Sequence, residues 1–398
     1  MKLIHTADWH IGQSFFEYDR REEHALFFRW LKEQLRAEAI DVLLIAGDVF
    51  DSPNPSAESQ RIYYRFLREV TAENPRLQVV VIAGNHDSAA RLEAPNPLLE
   101  EMNIVVKGVV RRTAEGEIDY DNLVVPLREG GKIVALCLAV PYLRQGDYPP
   151  AESYASGVKR MYKALYDRAR DAGLPVIAMG HLQATGAELS DNDRSERAVI
   201  GGLEAVSPEA FAEGIAYTAL GHLHKAQRVA GREHVRYAGA PLPFSFAEKN
   251  YRQGVYRVTL TDRVTVEHLL FEAPVKLLTV PDEPKPLGEV LTAIAGLPDG
   301  EITSASPYLE VRVLITEPEP SLRHRIEEAL SGKSVRLARL SAVTPSTKGE
   351  TGTLTYEELQ TIHPVEMAED LFRRRFGGEE MPEHMKRLLQ TVIQEIER

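Results

Sequence analysis

Cysteine is almost missing from this chain: Cys137 is the only one in 398 residues, so no internal disulfide can form. Its apolar setting, Ile133-Val134-Ala135-Leu136-Cys137-Leu138, predicts a buried small hydrophobe in a reducing compartment. Long apolar runs are also lacking. Met1-Lys2-Leu3-Ile4-His5-Thr6 leads directly to Asp8 without a signal-peptide core, and no later run is long enough to span a bilayer. These absences predict a cytoplasmic protein with no membrane segment. Internal repeats and low-complexity tracts are missing as well. So is a basic surplus: 47 Lys and Arg face 59 Asp and Glu, a net charge of −12, which disfavours a free-standing DNA binder.

What is present is ordinary globular material, 43% hydrophobic and 27% charged, in a chain too long for one core. Short β-rich runs at Lys2 to Thr6, Asp41 to Ala46, Gln78 to Ala83, Ile133 to Val140, Val176 to Met179 and Ala216 to Leu220 alternate with amphipathic patterns. Leu26, Phe27, Trp30, Leu31 and Leu35 keep helical spacing, as do Ile62, Tyr63, Phe66, Leu67 and Val70. The expected fold is a layered α/β domain of sheets flanked by helices. Residues 255–260 and 264–269 alternate around Thr261-Asp262-Arg263 as a β-hairpin. The proline-rich passage from Pro274 to Pro286 then reads as a junction into a small α+β module, with Leu309, Val311, Val313 and Ile315 alternating and Ser321 able to cap a helix. Thr344 to Gly352 has linker composition. Beyond it, Pro364 and Pro382 each open a helix, with apolar stripes through Val365, Leu371, Phe372 and Phe376 and through Met385, Leu388, Leu389, Val392 and Ile396. The expected division is 1–272, 273–345 and 346–398.

Five of the apolar runs end in residues that ligate metals: Asp8-Trp9-His10, Gly47-Asp48-Val49-Phe50-Asp51, Gly84-Asn85-His86-Asp87, Gly180-His181 and Gly221-His222-Leu223-His224. Loops beyond the carboxyl ends of strands converge, so residues far apart in sequence can meet there. A lone histidine after a strand is usually a hydrogen-bonded structural residue, and His5, His24, His234, His268, His324, His363 and His384 are read that way. No packing requirement calls for the ordered set, however. Two metal ions about 3.5–4 Å apart can acidify a bridging water and clamp phosphate oxygens, which is what phosphodiester cleavage needs. Imidazole, carboxylate and amide donors without thiolate favour manganese or iron. By contrast, Ser331-Gly332-Lys333-Ser334 only imitates a phosphate-binding loop, since it follows a helix and enters a strand.

The five motifs resemble those of the calcineurin-like metallophosphoesterase superfamily, which implies a layered β-sandwich flanked by helices. The resemblance implies that Asp8, His10, Asp48 and His224 hold one metal, and Asp48, Asn85, His181 and His222 the other, with Asp48 as the bridge. His86 takes the place of the histidine that protonates or stabilises the leaving oxygen, and Asp51 would orient it through its other ring nitrogen. Within the superfamily the chain is similar to the SbcD branch of recombination-repair nucleases. Phe50 and the continuation Ser52-Pro53-Asn54-Pro55 carry that likeness, as does Tyr237-Ala238-Gly239-Ala240-Pro241-Leu242-Pro243-Phe244-Ser245-Phe246, with Ala238 and Ala240 where serines are common. The small module and terminal helices match that family's DNA-capping domain and its helix-loop-helix for a coiled-coil ATPase.

The resemblance implies a manganese-dependent nuclease, a homodimer, that acts with an SbcC-type ATPase on double-stranded ends and hairpin DNA, as a 3′-5′ exonuclease and endonuclease. Lys107, Arg111 and Arg112 are the local basic groups expected to help hold the polyanion. Two other readings are a phosphoesterase acting on small-molecule or protein phosphoesters, which the acidic charge favours, and a non-catalytic scaffold, which has no use for His86 as an acid.

Overall fold

The computed structural model describes residues 1–188, 205–316 and 319–343, together with 372–373, 381–382 and 385–386. The chain divides into two compact units, Met1–Val343 and Thr344–Arg398. In the second unit, residues 372–373 and 385–386 are helical, and the rest of the expected linker and helix pair lies outside the described residues.

Two six-stranded sheets form a sandwich. One holds Lys2–Thr6, Val42–Ala46, Gln78–Ile82 and Ile104–Lys107 in parallel, extended on its other edge by the antiparallel hairpin of Gly254–Thr259 and Thr265–Leu270. The other places Lys132–Ala139, Val176–His181, Ile215–Gly221 and Arg232–Tyr237 in parallel, with antiparallel strands at both edges.

Alternation along each strand assigns its faces. Val42, Leu44 and Ala46 point inward to a core shared with Ala135, Cys137, Ile177, Met179, Tyr217 and Ala219 of the facing sheet. Leu43 and Ile45 point outward, where Phe27, Phe28, Leu31, Tyr63, Phe66 and Leu67 of helices Arg21–Ala37 and Ala57–Glu73 cover them. Helix Tyr154–Ala169 covers the outer face of the second sheet through Val158, Met161, Tyr162 and Leu165. Cys137 therefore sits between the sheets, where burial pushes its thiol well above the ordinary range.

The small module is a parallel three-stranded sheet, Leu277–Lys285, Tyr308–Leu314 and Arg336–Val343, with helices Leu287–Ala295 and Leu322–Ala329. Its first strand runs through the passage that the prolines mark as a junction. The strand accommodates Pro281 and Pro284 because it is an edge strand and because the ladder breaks register between Val280 and Lys285. Ser321 precedes its helix without a side-chain cap, its hydroxyl bonding Glu319 instead. In the imitation phosphate loop, Lys333 Nζ donates to the carbonyls of Ala295 and Leu297, just where helix Leu287–Ala295 ends.

The module packs on the sandwich through Phe15, Phe246, Val275 and Tyr308. Tyr308 Oη donates to Glu23 Oε1 at 2.9 Å, and Arg20 closes a two-bonded ion pair on the same carboxylate.

Candidate metal centre

Parallel pairing brings the ligand-type residues to one end of the sandwich. Thr6 pairs with Ile45, Ala46 with Ile82, and Gly221 with His181, so the segments carrying Asp8, Asp48, Asn85, His181 and His222 emerge side by side. The turns are tight. Asp8 N donates to Gly47 O and His10 N to Asp48 O, both at 3.0 Å. Asp8, His10, Asp48 and His222 all take positive φ, at 53°, 43°, 48° and 106°. Such backbone costs on the order of 1–3 kcal/mol per residue, and it persists where the surroundings over-determine it. Gly47 is needed twice over: its φ is +91°, and a Cβ there would lie 2.3 Å from His181 Nδ1. At Gly84 a Cβ would strike Asp48 Oδ1 at 2.1 Å.

The side chains converge. Asp48 Oδ2 lies 3.6 Å from His10 Nε2 on one side and 3.2 Å from His181 Nε2 on the other. Asn85 Oδ1 meets His181 Nε2 at 2.9 Å and His222 Nδ1 at 3.0 Å. The His10 and His224 rings are 5.3 Å apart, as are those of His181 and His222. Asp8 and Asp48 each spend Oδ1 on an amide, from His222 and His86 at 2.9 Å, while both Oδ2 atoms are buried without a hydrogen bond among the described residues. Buried carboxylate oxygens aimed at a cluster of ring nitrogens suit a bound cation, and the donor set suits a divalent metal.

Charge within the cluster is strongly perturbed. Burial pushes the Asp8 carboxyl up to about 6 against the pull of His181 and His224. Burial works on Asp48 in the same direction, but the imidazoles of His181, His10 and His86 outweigh it and hold Asp48 below the carboxylate range. His181 is opposed by burial, yet Asp48 and Asp8 raise it to about 9. Groups driven apart in this way in one cleft are typical of functional sites.

His86 is brought beside this cluster, its ring 4.7 Å from that of His10. Its Nδ1 donates to Asp51 at 2.9 Å, but the acceptor is the main-chain carbonyl. The Asp51 carboxylate lies instead 3.3 Å from His10 Nδ1. The contact expected of Asp51 exists, through a different atom.

Several supporting residues lie outside the five motifs or carry no role within them. Glu248 Oε1 lies 3.3 Å from His224 Nδ1, and nothing in its spacing announces it. Asp87 accepts the amides of Gly84, Val49 and Phe50, tying two of the converging loops together. Its place directly after Asn85-His86 is a signal that could have found it. His24 Nε2 donates to Trp9 O at 2.8 Å, holding the Asp8-Trp9-His10 turn from below. His5 and His24 have structural partners, as expected of lone histidines.

Fold and donor set together define a calcineurin-like phosphoesterase, and the profile of that family, Calcineurin-like phosphoesterase, matches residues 1–226. A second profile, the Type 5 capsule protein repressor C-terminal domain, matches residues 273–377. The chain is 40% identical over 362 residues to the D subunit of nuclease SbcCD from Rhodobacter capsulatus, covering 87% of this chain and 88% of that one. It is 30% identical to the D subunit of nuclease SbcCD from Escherichia coli K12 over 99% of this chain and 97% of the relative. The Bacillus subtilis protein of the same name matches at 30% over 64% of this chain and 65% of its own. The chain belongs to the SbcD family of nuclease subunits. Among the described residues no helix is long and apolar enough to cross a membrane.

Proposed function

We propose that this chain is the manganese-dependent nuclease component of a complex with an SbcC-type coiled-coil ATPase, cleaving double-stranded DNA ends from the 3′ side and opening hairpins. The observation that carries the reading is Asp48 Oδ2, set between His10 and His181 at 3.6 and 3.2 Å. One cation would be held by Asp8, His10, Asp48 and His224, and the other by Asp48, Asn85, His181 and His222. When bound, the pair supplies an acidified water and neutralises charge that develops on the phosphate. Manganese suits the imidazole, carboxylate and amide donors, while the one cysteine is shut between the sheets.

The chain's own residues then divide the work. Asp8 and Asp48 present one oxygen each and anchor the other on a backbone amide, so their orientation is preset before substrate arrives. His181 donates from Nδ1 to Ala46 O at 2.9 Å, which leaves Nε2 facing the cluster. His86, fixed through Nδ1 by Asp51 O, can deliver a proton from Nε2 to the departing oxygen as the imidazolium, the form in which both ring nitrogens carry hydrogen.

Residues 1–272 form the nuclease domain in this proposal, 273–345 a DNA-capping domain, and 346–398 the linker and helix-loop-helix that docks the ATPase. The protein acts as a cytoplasmic homodimer. Similarity to SbcCD nuclease relatives along nearly the whole chain supports this over a small-molecule or protein phosphoesterase. Incubation with manganese and an end-labelled hairpin duplex, with and without the ATPase, tests it. Hairpin opening that depends on manganese is expected. Hydrolysis of a generic phosphodiester with no cleavage of DNA under either condition would overturn it.

A further inference from the structure

The basic residues singled out in the sequence are occupied elsewhere. Arg111 binds Glu93 at 2.6 Å, Lys107 reaches Asn122, and Arg112 donates to the carbonyls of Gly116 and Gly146. With Arg111 committed to the buried Glu93 in a chain of net charge −12, the polyanion expected by the proposed function calls for further cations.

A cavity of about 360 Å³ offers them, lined by Lys225, Arg228, Arg236, Arg252, Tyr251 and His268. It lies on the edge of the sandwich where strands Gln227–Val229 and Arg232–Tyr237 of one sheet approach Gly254–Thr259 and Thr265–Leu270 of the other. The location ties it to the metal centre by two routes. Lys225 directly follows His224, and Asn250, also in the lining, is two residues past Glu248, which contacts His224.

Four cations line this cavity against two carboxylates that pair with them. Glu188 pairs with Lys225, and Glu233 with both Arg228 and Arg236. Both acids are largely exposed, at 75% and 66%, so these pairs are weak and can yield to a better anion. Arg252 has no ion pair among the described residues and is exposed. His268 also lines the cavity, and its buried Nε2 has no hydrogen-bond partner among the described residues. Arg236 sits 5.0 Å over the Tyr256 ring and Lys225 6.0 Å from Tyr251, which gives the cations an aromatic backing that the acids do not share.

We infer that this cavity is a second binding site, outside the metal centre, for the phosphodiester backbone of the nucleic-acid strand that runs on from the cleavage point. The inference rests on the nucleic-acid reading of the metal centre given above. A basic groove with aromatic residues, tracking a strand without reading its bases, is the common solution for sequence-independent binding. It reconciles an acidic protein with a polyanionic substrate by confining the positive charge to the strand's path.

The test is fluorescence anisotropy of a labelled twelve-nucleotide oligothymidylate, with calcium in place of manganese, on the full chain, the Arg228→Glu/Arg252→Glu variant and a Lys159→Glu/Lys163→Glu control on a remote helix. Arg228→Gln/Arg252→Gln is measured alongside, with thermal melts to establish folding. The double reversal is expected to weaken binding at least tenfold, and the Gln pair to lower the slope of log Kd against log salt by about 1.4, two strand phosphates' worth. The control pair should retain near-parental affinity. Equal loss in the control, equal affinity in the cavity variants, or no binding by the parent chain would each overturn the inference. Manganese-dependent hydrolysis of bis(p-nitrophenyl) phosphate and of the hairpin is measured separately. Its failure counts against the nuclease reading, while the anisotropy decides the cavity.

Discussion

Glu248 holds His224 from behind: its Oε1 lies 3.3 Å from His224 Nδ1 while its Oε2 accepts the Phe244 amide at 2.7 Å. One buried carboxylate thus engages His224 Nδ1, which leaves Nε2 for the cluster, and also fixes Phe244, whose ring is 4.6 Å from that of His224 and 4.8 Å from that of His10. Outer carboxylates of this kind are typically worth about 10–100-fold in metal affinity. Glu248→Ala is expected to weaken by that factor the ion held with His224 and to leave the ion held with Asn85 and His181 nearly unchanged. Glu248→Gln, which keeps an acceptor, should lose less. Manganese titration calorimetry resolves the two ions, and two unchanged affinities would contradict the relationship.

The acid role of His86 and the contact made by Asp51 separate in the same experiment. His86→Ala should reduce DNA cleavage by about 100–10,000-fold with both ions retained. Asp51→Asn preserves the carbonyl that accepts from His86 Nδ1 and alters the group beside His10. Its main effect is therefore expected on metal affinity, with kcat at saturating manganese lowered much less than in His86→Ala. Elemental analysis with turnover kinetics checks both, and a metal-free His86→Ala protein would remove His86 from the acid role.

Much of this arrangement is legible in the amino-acid sequence, because the motifs end strands. Asp48, Asn85 and His181 follow apolar runs whose parallel pairing makes their convergence a consequence of the layered fold. Glu248 is not legible in this way. It sits 24 residues beyond His224, at the end of the single 3-10 turn Phe246–Glu248, and a glutamate there looks like any exposed acid until folding buries it. Strand Leu277–Lys285 is hidden by Pro281 and Pro284, which are excluded from central strands but not from an edge at a register break. The atom through which Asp51 meets His86 depends on the turn after Phe50, and periodicity says nothing about that.

The contact between the small module and the sandwich should be stiff. Glu23 takes two bonds from Arg20 and one from Tyr308, and Arg20 also donates to Pro243 O at 2.6 Å, all of them buried. Removing one partner of a buried ion pair leaves the other uncompensated, at a cost of about 3–5 kcal/mol. Glu23→Ala should lower unfolding stability by that amount, and Tyr308→Phe by about 1–3 kcal/mol. Urea denaturation checks both. A Glu23→Ala protein as stable as the parent would show that Arg20 is solvated when alone.

His5 gives the fold an acid limit. It is buried beneath the site with Nδ1 accepting from Tyr217 Oη and Nε2 donating to Leu220 O, and burial lowers it from 6.5 to about 3. A histidine lowered in the folded state leaves stability intact above its unfolded value, and that stability is lost as pH falls from 6.5 toward about 3. The loss attributable to His5 is on the order of 4 kcal/mol across that window. His5→Phe should therefore show a shallower decline of stability with acid than the parent chain, whatever its stability at neutral pH. Identical slopes would contradict the assignment.

The proposed two-metal centre, with Asp48 as its bridge, is tested most directly by titrating manganese into metal-free protein, parent against Asp48→Ala, and counting the ions bound. Two ions per chain are expected for the parent, and both should weaken together when the shared carboxylate is removed. An Asp48→Ala protein that still bound one ion with parental affinity would contradict the bridge, and with it the arrangement in which a single buried oxygen, 3.6 Å from His10 and 3.2 Å from His181, serves both halves of the site.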